Sequence, residues 1–156
     1  MSQSPRWSVP LRLLAILGAS AMTFAADAQK LPTPPQPLEG PNVEVFMIRQ
    51  DFSDCSNANV SASNPSLIGG SVWLVRNSDG TTSVKVAITG TPGTTYHFFL
   101  KCVKILGDIV TQDEGEGLGL FSFPTNSVGN VYAFDMYPEG APAGNKFQSV
   151  QVKFGP

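Results

Sequence analysis

The sequence predicts an all-β fold, a Greek-key sandwich of about seven to eight antiparallel strands, preceded by a signal-peptide helix and a proline-rich leader. Short runs rich in Val, Thr, Phe and Tyr follow one another at close spacing, separated by Gly, Pro and Asn turns. Beyond the N-terminal segment, no stretch sustains the roughly 3.6-residue period of an amphipathic helix. Only 14% of the residues are charged, whereas Gly (15) and Pro (13) are frequent, a balance suited to strands and tight turns. A closed barrel of similar strand count satisfies the same pattern and is the competing architecture.

The elements follow in order. Arg6 and Arg12 supply positive charge, and an apolar run extends from Leu13 to Ala26, interrupted by Gly18, Ser20 and Thr23. It ends in Ala26-Asp27-Ala28, the small-x-small pattern that a signal peptidase cuts, so residues 1–28 read as a signal peptide and the mature chain starts at Gln29. The run is short of the about 20 residues that a membrane-spanning helix needs. No Cys follows the cut to accept a lipid. The expectation is therefore export, to the periplasm or outside the cell, with no stable membrane anchor. Residues 29–41 (QKLPTPPQPLEGP) form an extended spacer, because proline withholds backbone donors and fixes φ. Residues 42–156 form the β-domain.

Within that domain Val43–Arg49 predicts the first strand. The polar stretch from Gln50 to Gly70 is a long loop, of a length that needs an anchor in a compact domain. Ser71–Arg76 reads as a strand buried on both faces and Thr82–Thr89 as its hairpin partner, with Val84, Val86 and Ile88 on one face. The Asn77-Ser78-Asp79-Gly80 turn joins them. Thr95–Ile105 is expected as one strand, with Tyr96, Phe98, Leu100 and Cys102 on one face and His97, Phe99, Lys101 and Val103 on the other. Ile109–Gln112, Leu118–Phe123, Val131–Tyr137 and Phe147–Phe154 supply the remaining strands, with Val150, Val152 and Phe154 inward in the last.

Export makes the two cysteines, Cys55 and Cys102, a disulfide pair. The bridge closes a loop of about 48 residues, for which chain entropy suggests roughly 4 kcal/mol. It also supplies the anchor for the long polar loop. Without the signal peptide, eight basic and eleven acidic residues remain, with no basic stripe. Nucleic acid and anionic membrane surfaces are accordingly not expected partners.

The motifs Gly70-Ser71-Val72, Asp79-Gly80, Thr91-Pro92-Gly93-Thr94-Thr95-Tyr96 and Gln148-Ser149-Val150 resemble those of small exported bacterial immunoglobulin-like domains of uncharacterised function. The resemblance spans Gly70 to Phe154 and implies an immunoglobulin-like sandwich and an exported location. It implies no activity. The chain departs from true immunoglobulin domains in placing Cys55 in a polar loop, and in carrying Leu100 where a Tyr precedes the second Cys.

Candidate chemistry is sparse. His97 is the only histidine, so sites built on several imidazoles are excluded, and no Gly-x-Ser-x-Gly elbow provides a nucleophile. Asp113, Glu114 and Glu116 crowd a glycine-rich turn, and with Asp51 and Asp54 they are the candidate calcium ligands; a merely solvated turn is the simpler expectation. Among the many aromatics, Phe99 and Tyr137 share faces with polar neighbours and are the expected exposed rings. No cofactor is expected. The predicted function is a non-enzymatic interaction or structural module with a protein or glycan partner. The alternatives are a small secreted hydrolase or redox protein using Cys102 or His97, and a calcium-dependent binder.

Overall fold

A computed structural model describes residues 42–51, 54–142 and 145–154. The expected signal peptide (1–28) and spacer (29–41) lie outside the described residues.

Among the described residues the regular structure is strand, apart from two short 3-10 turns at Pro65–Leu67 and Thr125–Ser127. In chain order the strands are β1 (Asn42–Ile48), β2 (Ile68–Arg76), β3 (Thr81–Thr89), β4 (Thr95–Leu100), β5 (Lys104–Val110), β6 (Glu116–Pro124), β7 (Val131–Tyr132), β8 (Phe134–Pro138), β9 (Phe147–Ser149) and β10 (Val152–Lys153). Eight of them form one antiparallel sheet in the order β5-β4-β8-β9-β1-β2-β3-β6, while β10 pairs with β7 alone. The predicted all-β class therefore holds, while the strands among the described residues are ten where about seven to eight were expected.

The hairpin of β2 and β3 forms where the turn signal stands, and Gly80 takes φ +83. Alternation then sets the faces. Val84, Val86 and Ile88 are buried, as are their cross-strand partners Leu74 and Val72, and Val45 of β1 continues the row. Trp73 is only half-buried, so the second face of β2 is covered in part, at Gly69 and Val75, and not along its whole length as the sequence suggested.

The eight-stranded sheet curls until its edges approach. Phe98 of β4 stacks on Phe121 of β6 at 5.3 Å and on Phe134 of β8 at 5.1 Å, so side chains from both ends of the strand order share one core. The two edge strands, β5 and β6, are consecutive in the chain. Their tight connection turns at Gly115 (φ +85), whose amide bonds the Gln112 carbonyl at 2.9 Å. Beyond it β6 offers Gly117 and Gly119 to the interior, where an added Cβ would come within 2.8 and 3.0 Å of the Ile109 side chain. Glycine here lets the β6 backbone close against β5.

Three predicted strands divide. Thr95–Ile105 breaks at 101–103, because β4 and β5 are a hairpin: the Val103 amide bonds the Leu100 carbonyl, and Cys102 takes φ +58. Cys102 is thus exposed, not on the core face with Leu100. Val131–Tyr137 splits at Ala133 between the two sheets, and Phe147–Phe154 splits likewise into β9 and β10. Val152 is fully buried, with Val150 and Phe154 partly buried against the same core.

Candidate functional site

The seam between β5 and β6 inverts the usual pattern. On β6 the inward positions are Gly117, Gly119, Phe121 and Phe123, so Leu118 and Leu120 point outward, 44% and 69% exposed. On β5, Ile109 is buried, whereas Val110 is 62% and Ile105 50% exposed. Val103, in the turn before β5, is also 50% exposed. Among the described residues, five of the seven large exposed apolar side chains therefore belong to the two adjoining edge strands or to the hairpin leading into them. Water gains nothing from such side chains, and contiguous exposed apolar surface is the usual mark of a contact surface.

A second, polar cluster lies at the turn of the β4–β5 hairpin. The disulfide between Cys55 and Cys102 (Cα–Cα 5.6 Å) ties the long loop to the turn after β4. Asp54 tightens the loop by accepting from the Ser56 amide, the Ser56 hydroxyl and the Ala58 amide, each at 3.0 Å. Those bonds, the Ala58 amide foremost, hold the Asp54 carboxyl below its ordinary range. Asn57 follows, fully buried at φ +52. Its Nδ2 donates to the Ser149 carbonyl at 2.9 Å and the Phe134 carbonyl at 3.3 Å, leaving Oδ1 to accept from Lys101 Nζ at 2.6 Å. Lys101 is itself buried and pairs with Asp135 at 3.3 Å. Burial raises the Asp135 carboxyl, opposed by the Lys101 charge. Lys101 and Asp135 line a cavity of about 160 Å³, with Tyr137, Gln148, Lys146 and Asp51 among the other walls. Lys146 and Asp51 pair at 2.7 Å.

The predicted site residues distribute as follows. Cys55 and Cys102 meet, which leaves no thiol for redox or nucleophilic chemistry. Asp113, Glu114 and Glu116 are exposed in and beside the β5–β6 turn. Asp51 and Asp54 are engaged by Lys146 and by the loop backbone, and among the described residues no three His, Cys, Asp or Glu side chains converge to hold a metal ion. His97 has carboxylates at both ring nitrogens, Asp108 on Nδ1 at 2.7 Å and Glu139 on Nε2 at 3.4 Å, so neither nitrogen is turned to a hydroxyl nucleophile. The Asp108 hydrogen bond is the largest cause that raises the His97 pKa. Phe99 and Tyr137 are half-buried and stack on each other at 4.8 Å, which uses one face of each ring.

Sequence reasoning did not find the Lys101–Asn57–Asp135 cluster, since residues 44 and 34 apart from Lys101 meet only through the fold. The outward leucines had a signal, the Gly-Leu-Gly-Leu run at 117–120, in which glycine occupies the core phase of a strand. No protein-family model matches this chain, and no curated protein matches it in sequence.

Proposed function

We propose that this chain is an exported, non-enzymatic interaction module that engages a partner protein through the apolar seam of β5 and β6. The observation that carries the reading is the outward set Ile105, Val110, Leu118 and Leu120 on two adjoining edge strands. Burying such a set contributes about 25 cal/mol per Å² of apolar area, and edge strands add main-chain pairing where a partner aligns. Export follows from the signal-peptide pattern and accords with the disulfide. The Greek-key, immunoglobulin-like reading is supported by the turn motifs, and by β3 lying beside β6 while β4, β5 and β6 follow one another in the chain. The paired acids around His97 and the bridged cysteines favour binding over hydrolysis or redox chemistry.

Photo-crosslinking in the secreting host tests the surface. A crosslinking residue at Leu120 or Val110 should give a discrete protein adduct, and one at Ser78, in the distant β2–β3 turn, should give none. Absence of any adduct from both seam positions, or equal labelling from Ser78, overturns the reading. The intact mass of the exported protein, expected to begin at Gln29, tests the localisation separately.

A further inference from the structure

We infer that Lys101 and Asn57 are the partners of an intramolecular amide crosslink, with Asp135 as the group that moves its protons. Three features of the cluster converge on this chemistry. The amine and the carboxamide are in contact, Lys101 Nζ standing 2.6 Å from the Oδ1 attached to the carbon it would attack. The carboxamide cannot turn away, because its Nδ2 is held by the carbonyls of Phe134 and Ser149. A third side chain, Asp135, pairs with Lys101 at 3.3 Å and lies near enough to the Asn57 carboxamide for that group to lower its pKa.

Both reactants are withdrawn from solvent. Lys101 is 7% exposed and Asn57 not at all. Only the neutral amine is a nucleophile, so the attack needs a proton acceptor beside Nζ, and the Asp135 carboxylate stands there at 3.3 Å. Burial raises the Asp135 pKa, which is the direction that a proton carrier requires. Holding the two reactants together removes most of the entropic barrier to their reaction.

The step balances within the cluster. Lys101 passes one proton to Asp135, and the amine lone pair forms the Nζ–Cγ bond while Asp135 protonates Oδ1. Asp135 then takes a proton from the attached Nζ and delivers it to Nδ2. The Cγ–Nδ2 bond breaks, the carbonyl re-forms as Oδ1 returns its proton to Asp135, and Asp135 passes that proton to the departing ammonia, which leaves as ammonium toward the adjoining cavity. The net change is a lysine ammonium and an asparagine carboxamide giving a secondary amide and one ammonium ion. Nothing is oxidised or reduced, and no co-reactant is needed. The product joins the long loop to the β4–β5 turn two residues from Cys55 and one from Cys102, and unlike the disulfide it survives a reductant.

Peptide mapping of the protein recovered from its secreting host decides the matter. Intact mass alone is insufficient, since a new N-terminal Gln29 can also lose ammonia by cyclising. After reduction, alkylation and digestion, the expected product is a branched peptide joining the segments that contain Asn57 and Lys101, lighter than their sum by one ammonia. Trypsin should fail to cut after Lys101. The Asp135→Asn variant should yield little or none of the branched peptide. Linear wild-type peptides bearing unmodified Asn57 and Lys101 overturn the crosslink. Equal branching in Asp135→Asn overturns the part given to Asp135.

Discussion

Reducing the Cys55–Cys102 bridge should cost the wild-type protein far less stability than its loop length suggests. The bridged residues are 47 apart, and chain entropy gives a closure of that size about 4 kcal/mol. Lys101 and Asn57 are 44 apart, so an amide between them constrains nearly the same loop of the unfolded chain. Two crosslinks closing one loop are redundant, and removing either leaves most of the constraint in place. Reduction of the wild type should therefore cost under about 1 kcal/mol, against about 4 kcal/mol in Asp135→Asn, where only the disulfide closes the loop. With a urea slope near 2 kcal/mol per M, the second figure is a midpoint shift of about 2 M. Each variant is compared with and without reductant, so the destabilisation that Asp135→Asn itself causes cancels. A wild-type midpoint that falls by the full amount on reduction would refute the redundancy.

Other expectations concern the core, the seam and two local sites. Phe98→Ala removes a fully buried ring stacked on Phe121 and Phe134 and should cost about 3–5 kcal/mol in urea unfolding. Leu120→Ser, on the outward face of β6, should change the same measurement by under about 0.5 kcal/mol while abolishing partner adducts at the seam. Gly115→Ala should cost roughly 1–2 kcal/mol by thermal melting, since φ +85 strains an L-residue and its Cβ would meet the Gly90 carbonyl at 2.4 Å. The pKa of His97 is raised above 6.5 in the folded chain, so its pairing with Asp108 stabilises fully below about pH 6.5 and is lost as pH rises through the folded value. NMR titration of the single imidazole should show that elevation, and Asp108→Asn should bring the value down; an unchanged titration would count against the pairing.

Much of the architecture was readable from side-chain alternation. The β2–β3 hairpin was marked by the Asp79-Gly80 turn, and the pairing of Cys55 with Cys102 was expected from there being two cysteines in a chain read as exported. Alternation was misleading where the chain bends without a glycine or proline. Cys102 turns the β4–β5 hairpin at positive φ, so a pattern that looked continuous to Ile105 is two strands. Ala133 likewise passes the chain from one sheet to another with no local signal. The polar cluster was hidden for a different reason. Lys101 was placed only on the strand face shared by His97, Phe99 and Val103, and the disulfide at Cys102 that brings the polar loop beside it gave no sign of its burial.

The two ends of the domain leave from neighbouring strands. β1 pairs with β9, the Val150 amide bonds the Phe46 carbonyl, and Val43, Glu44 and Lys153 border one groove. A short linker from Phe154 to Asn42 should therefore be compatible with every ladder, and the chain should tolerate being reopened within the exposed Ser78-Asp79 turn. In such a circular permutant β1, β2 and the loop that Cys55 anchors would be synthesised last. The nascent chain would then hold Lys101, Cys102 and Asp135 before Cys55 and Asn57 emerge, the reverse of the natural order in which the anchoring loop waits for the hairpin.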